Sequence, residues 1–398
     1  MSRYNFDEVI ERHGTNSAKW DNNMVMFGRE DVLDMWVADM DFPVPEPVVR
    51  AMRERLEHPI FGYTFPSAGL LEAIVDRAKR EFDWDIKKEW IVFNGGVVDG
   101  LYSTLQAFTH PGDEVIVQPP VYYPFMGAVK NTGTQILYNP LKSTNGHYTM
   151  DVENFASHFV PRASFPIRVP KVKAFILCSP HNPVGRVWHP GEIKAVADIC
   201  VANDCLILSD EIHAELLLKG HKHTVTAMLS EEIAERTITY MAGSKTFNLA
   251  GLGTSFAIVQ NDKLRKDYVA SRAGRNSGNL MGMIALEAAY KHGDPWLYQV
   301  REYLQGNFDL FRSYIEEKMP KLKVSNLEGT YLAWVDMREL GLSPLDLQRF
   351  IREEARLALD DGYAFGPGGD GFQRFNLATP RPLVREALER LERAVKGL

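Results

Sequence analysis

The chain has 398 residues, of which 45% are hydrophobic and 24% charged, the balance of an ordinary globular protein. At roughly 100–200 residues per domain, that length holds two or three domains with ample core. The net charge of −7 offers no basic face for nucleic acid, and no apolar run approaches the ~18 residues that span a bilayer. Cys178, Cys200 and Cys205 show no metal-ligand spacing, so no metal is expected, and so few cysteines suit a reducing cytoplasm. Residues 1–14 are charged throughout, unlike a signal peptide.

Residues 1–50 are irregular and dense in turn formers. Met35-Trp36-Val37-Ala38-Asp39-Met40-Asp41-Phe42-Pro43 reads as a short apolar strand ending in acidic residues and proline. A helix over 47–56, an aromatic loop Phe61-Gly62-Tyr63-Thr64 and a helical period over 70–82 follow. From Trp90 the rhythm becomes strand–helix alternation, which predicts a parallel sheet between helices. Strands are expected at 90–93, 114–118, 174–177, 206–209, 237–241 and 256–259, with helices at 97–108 and 190–203. Beyond about residue 290 a long amphipathic helix (296–319) precedes strands at 324–326, 331–335 and 372–377, and helices at 344–355 and 382–395. This divides the chain into a large α/β domain over 51–290 and a smaller α+β domain made of 1–50 and 291–398.

The stretch from Gly243 to Gly253 sets one lysine, Lys245, among small residues directly after an apolar strand. Small neighbours let a bulky partner approach the backbone, and lysine can condense with an aldehyde. Alone, Lys245 also reads as a solvated turn residue. Its company changes that, because Gly96, Tyr122, Asn182, Asp210 and Lys245 all follow the C-terminal ends of predicted strands. In an open parallel sheet those ends form the ligand crevice.

Each residue has a task if the ligand is pyridoxal phosphate. Asn94-Gly95-Gly96-Val97 opens a helix, so free N–H groups and the dipole there favour an anion, to which Ser244 adds a hydroxyl. Asp210 ends a strand too apolar for a casual carboxylate, and a protonated pyridine nitrogen is the cation it lacks. Asn182 and His213 are donors for a ring oxygen, and Tyr122 can stack on the ring face. Arg374, mid-strand among apolar residues, fits a substrate α-carboxylate with its planar fork. Taken singly, each also has a structural reading: a tight turn, a salt bridge, an aromatic packing group.

Ser244-Lys245 with Phe247-Asn248-Leu249-Ala250-Gly251, the His-Asn-Pro-x-Gly of 181–185, Asp210-Glu211-Ile212-His213 and Arg374-Phe375-Asn376 together resemble fold-type I pyridoxal-phosphate enzymes of aminotransferase class I/II. Trp36 to Phe42, Phe61 to Thr64 and His213 resemble the MalY/PatB branch of cystathionine β-lyases within that class. The resemblance covers nearly the whole chain. It implies a mainly parallel seven-stranded sheet, Lys245 as the lysine that holds the cofactor aldehyde, and Asp210 at the ring nitrogen. It also implies Gly96, Val97 and Ser244 at the phosphate, Asn182, His213 and Tyr122 about the ring, and Arg374 and Asp39 on an amino-acid substrate. A homodimer is implied too, with Tyr63 reaching the partner's phosphate. Two departures stand out: Gly253 where the class usually has arginine, and Ala242 where it has serine or glycine.

The chemistry of these residues starts with Cα deprotonation by Lys245. Loss of a Cβ sulfur group, transamination and racemisation all share it, and only the resemblance selects the lyase. A regulatory protein that keeps the fold without turnover is the rival, opposed by the joint presence of Lys245, Asp210 and Arg374.

Overall fold

A computed structural model describes residues 4–160, 171–272, 274 and 277–398, so the first three residues of the expected small domain and of the charged amino-terminal run lie outside it. Seven strands form the central sheet: β1 (Ile91–Asn94), β2 (Glu114–Val117), β3 (Gln135–Tyr138), β4 (Val172–Cys178), β5 (Leu206–Asp210), β6 (Thr237–Met241) and β7 (Ser255–Ile258). Their order across the sheet is β1-β7-β6-β5-β4-β2-β3. All run parallel except β7, which is antiparallel to both its neighbours. The expectation of a mainly parallel seven-stranded sheet is met, with β7 as its one reversal.

Near-continuous burial explains these strands. Every residue of β2 and β6 is buried, as parallel strands covered on both faces require. β3 escaped the sequence reading because it is an edge strand with no fully buried residue, unlike β1 at the other edge. The helix Leu280–His292 escaped it for the opposite reason: Met283, Leu286, Ala289 and Tyr290 are among many buried positions, leaving no polar face to mark a period.

A second, antiparallel sheet holds β8 (Lys323–Val324), β9 (Leu332–Asp336), β10 (Asp360–Asp361) and β11 (Phe372–Asn376), in the order β8-β9-β11-β10. β10 was not expected; it places Asp360 directly opposite Arg374. The amino-terminal segment packs with the elements after residue 290. Phe6 meets Trp296 and Tyr303 edge-on or tilted, and the Asp41 N–H donates to the Ala378 carbonyl at 2.9 Å.

The strand expected over 35–43 needs correction. Only Leu33–Asp34 forms a ladder, parallel to Leu357–Ala358. The rest is an irregular strap, bent at 37–39 and 41–42, whose main chain bonds mostly to side chains, which alternation of residue types cannot distinguish from a strand. Lys245 lies in the short helix Gly243–Thr246 rather than in a loop.

Candidate active site

The carboxyl ends of β1, β4, β5 and β6 open onto a cavity of about 200 Å3. Its wall contains Gly96, Val97, Tyr122, Asn182, Asp210, His213, Ser244 and Lys245. Eight residues expected at a cofactor from sequence are therefore brought together. Lys245 is the one cation on this wall among the described residues.

Asp210, the last residue of β5, is buried and accepts a hydrogen bond from the Ile212 N–H at 3.1 Å. Burial raises its pKa to about 7, against a small opposing pull from that N–H and from Lys245. Lys245 donates from Nζ to the Ala38 carbonyl at 2.5 Å, and removal of water, with Arg374 adding repulsion, lowers its pKa to about 8. His213 is buried, its Nδ1 has no partner among the described residues, and burial holds its ring neutral. A carboxylate without a bonded cation and a lysine bonded only to a neutral carbonyl thus line one mainly apolar cavity. That pattern marks a functional site more often than a structural one.

One end of the cavity suits an anion. The helix Val97–Phe108 begins there, and the N–H groups of its first turn have no partners inside the helix. Ser244, Thr254 and Ser255 add hydroxyls to the same wall. Gly253, in place of the usual arginine, sits at φ +47°, in the left-handed region, and a Cβ there would meet the Gly95 carbonyl oxygen at 3.4 Å. Tyr122 stands at the side wall, its N–H bonded to the Asn182 carbonyl at 3.0 Å and its ring edge-on to Phe125 at 5.7 Å.

Arg374 is buried and does not line the cavity, but it is bonded to Asn182, which does. Nη1 donates to Asn182 Oδ1 at 3.1 Å, Nη2 donates to the Trp36 carbonyl at 2.8 Å, and Nη2 also pairs with Asp360. Its guanidinium packs over Phe365 at 5.1 Å. Of the two sequence readings of Arg374, a fork for a substrate carboxylate and an internal ion pair, the structure shows the ion pair.

The strap over 36–42 closes one side. Ala38 accepts from the Tyr331 hydroxyl at 2.9 Å as well as from Lys245. Asn376 Nδ2 donates to the Val37 and Asp39 carbonyls at 2.6 Å each, and Asn248 Nδ2 donates to those of Met40 and Phe42 at 2.9 Å each. Asn248 adopts φ 60°, a left-handed conformation that asparagine tolerates, to present this amide. On the outer side, Arg12 clamps both carboxylate oxygens of Asp39, at 3.0 and 2.8 Å, and buried Lys19 holds Asp41 at 2.6 Å. Asp39, expected on the substrate, is here engaged by Arg12. Arg12, Lys19 and Asp360 carried no functional signal in the sequence, and Asn248 and Asn376 stood in the motifs of the resemblance without a role, since only tertiary contact shows what they hold.

Two further residues bear on the site. Cys178 lies in the cavity wall, its Sγ donating to the Pro180 carbonyl at 3.5 Å and accepting from the Asn182 N–H at 3.4 Å. Burial raises its thiol pKa above the ordinary range. Tyr63 does not line the cavity of its own chain; it is fully exposed, beside exposed Ile60, Phe61 and Phe65.

The chain matches the family Aminotransferase class I and II over residues 30–391, and it belongs to that family. Among curated relatives, cystathionine beta-lyase PatB of Bacillus subtilis is 40% identical over 393 residues, covering 98% of this chain and all of PatB. A PLP-bound candidate aminotransferase from Clostridium difficile 630 is 41% identical, with a TM-score of 0.94, over 99% of this chain and 100% of that one. Cystalysin of Treponema denticola, which contains a pyridoxal 5′-phosphate cofactor, is 36% identical at a TM-score of 0.93, over the full length of both chains.

Proposed function

We propose that this chain is a pyridoxal-phosphate-dependent C–S lyase that converts L-cystathionine or a related cysteine S-conjugate to pyruvate, ammonia and a thiol. The observation that carries cofactor binding is the buried, cation-starved Asp210 facing Lys245 across a cavity with an anion site at one end. The residues fit the cofactor: Lys245 to hold its aldehyde carbon, Asp210 for the pyridine nitrogen, and Asn182 and neutral His213 for the ring oxygen. Tyr122 takes the ring face, and Gly96, Val97 and Ser244 the phosphate. The choice of lyase is supported by full-length similarity to PatB and by the C–S lyases among the solved structures.

Bound pyridoxal phosphate supplies an electron sink for the pair left at Cα. The chain's residues do the rest. Arg374 holds the substrate α-carboxylate and so fixes which Cα bond faces the ring. Lys245, with its pKa near 8, has an appreciable neutral fraction at neutral pH and takes the Cα proton on Nζ. The Ala38 carbonyl, held by Tyr331 and by the asparagine-braced strap, keeps that amine in place. Asp39 acts from behind, keeping the strap tied to Arg12. A thiolate on Cβ then leaves as the Cα–Cβ double bond forms, and the resulting enamine is hydrolysed to pyruvate and ammonia.

The test supplies L-cystathionine without any keto acid. Stoichiometric pyruvate, ammonia and thiol over many turnovers are expected. Conversion that stops after one turnover and resumes only on adding 2-oxoglutarate or pyruvate would make the protein an aminotransferase.

The large domain over 51–290 is proposed to carry the cofactor and the small domain (1–50 and 291–398) the substrate-facing Arg374. The working unit is proposed to be a cytoplasmic homodimer. Three buried free thiols suit a reducing compartment. The exposed aromatic run around Tyr63 suits an interface, and the anion end lacks a lysine or arginine among the described residues of its wall. Tyr63 from the partner would complete it. Mixing Tyr63→Ala with Lys245→Ala chains should therefore restore part of the activity. Dead mixtures with demonstrated subunit exchange would remove Tyr63 from the shared site.

A further inference from the structure

We propose that Asp360 is the resident counter-ion of Arg374, a specificity-determining residue that an incoming α-carboxylate must dislodge from the guanidinium. The inference rests on Arg374 being the carboxylate-binding group.

A guanidinium has five N–H donors: one on Nε and two on each Nη. Here Nη1 spends one on Asn182, and Nη2 spends both, on the Trp36 carbonyl and on Asp360. Nε is buried without a partner among the described residues. A carboxylate bound by two parallel bonds uses either Nη1 with Nη2 or Nε with Nη2. Both forks include Nη2, and Nη2 has no hydrogen left. Binding therefore displaces one of its two partners.

The Trp36 carbonyl is neutral and belongs to the strap that Asn376 and Asn248 brace. Asp360 carries the same charge as the ligand, and it is held on a two-residue strand directly opposite Arg374. The guanidinium is also packed over Phe365, which opposes its swinging away to expose a fresh fork. Repulsion between the two carboxylates then falls on Asp360. Nothing else holds that side chain: Arg374 is its only ion-pair partner among the described residues, while neighbouring Asp361 is taken by Gln348, Arg352 and Gln373. An amino acid, whose amine also engages the site, can meet the cost of this displacement. A simple carboxylate cannot, so pyruvate and other amine-free acids are held weakly and leave.

The experiment measures competitive inhibition of the holoenzyme by acetate and by pyruvate, using an S-conjugate as substrate. Asp360→Asn keeps the shape and the acceptor but removes the charge. It should lower both inhibition constants about tenfold, a gain of affinity that structural damage does not produce. Asp360→Ser is the second variant, with the same sign expected. Unchanged or higher constants in whichever variant folds overturn the proposal. Arg374→Ala separates the two claims. If it leaves acetate inhibition untouched, the assignment of Arg374 itself fails; if it weakens inhibition while the Asp360 variants change nothing, only the role of Asp360 fails.

Discussion

Arg77 is a buried cation and Lys245 a half-buried one, and the chain settles them in opposite ways. Arg77 is 2% exposed, forks onto both oxygens of Glu215, reaches Asp294 at 2.7 Å and lies near the rings of Phe247 and Tyr290, at 5.0 and 4.9 Å. Burial works against its charge, and its two carboxylates more than offset this. Lys245 has one neutral carbonyl and no ion pair among the described residues, and Asp210 near it has no cation bonded to it. Burial is therefore left uncompensated at the cavity, raising one pKa and lowering the other. At Arg77 the charge is matched within the chain; at Lys245 and Asp210 the match is left for a ligand to bring.

The sharpest break in this comparison is Lys245→Ala. Turnover should fall a thousandfold or more, because the cofactor link and the base are lost together, while thermal unfolding stays the same or rises. Activity within tenfold of wild type, measured as pyruvate release, would return Lys245 to the structural class. Glu215→Ala reverses the pattern. Leaving Arg77 buried with a depleted counter-charge should cost about 3–5 kcal/mol in urea unfolding, with kcat of the folded fraction retained; a loss below about 1 kcal/mol would show that the pair is not structural.

Asp210→Asn gives the smallest effect and the most diagnostic sign. Burial raises the folded pKa of Asp210 above its unfolded value of 3.8, so folding favours the protonated form. That contribution is full below the unfolded pKa and is lost as pH rises through about 7. Cofactor-free Asp210→Asn should therefore melt a few degrees above wild type at pH 8 and level with it near pH 4. With cofactor bound the advantage should vanish. A variant less stable than wild type at pH 8 without cofactor would show that Asp210 is already matched inside the chain.

Much of this site was legible before any coordinates because its chemistry sits at strand ends, and strand ends are readable. A buried apolar run that stops at Asp210, or a short one that yields to Gly95-Gly96, announces both the strand and the crevice. Arg374 was legible for a different reason, as a charge in the middle of an apolar strand. Its partner was not: Asp360 follows an ordinary Leu359 and precedes a second aspartate, and its importance comes from pairing register 14 positions away. The strap failed more instructively. Residues 35–43 have a strand's composition, but Asn376, Asn248, Arg374 and Lys245 take up carbonyls that a neighbouring strand would otherwise bond. Composition reports burial and extension, and it is silent on who bonds the backbone.

Cys178 carries a consequence for chemical durability. A reaction that liberates thiols keeps its own cavity in contact with sulfur nucleophiles and with the disulfides they become. Disulfide exchange and oxidation begin with a thiolate. The Cys178 sulfur is buried, bonded on both sides to main chain and held protonated by its surroundings. The one sulfur in the cavity wall among the described residues is thereby kept from trading with the product, and the catalyst is shielded from slow poisoning by what it releases.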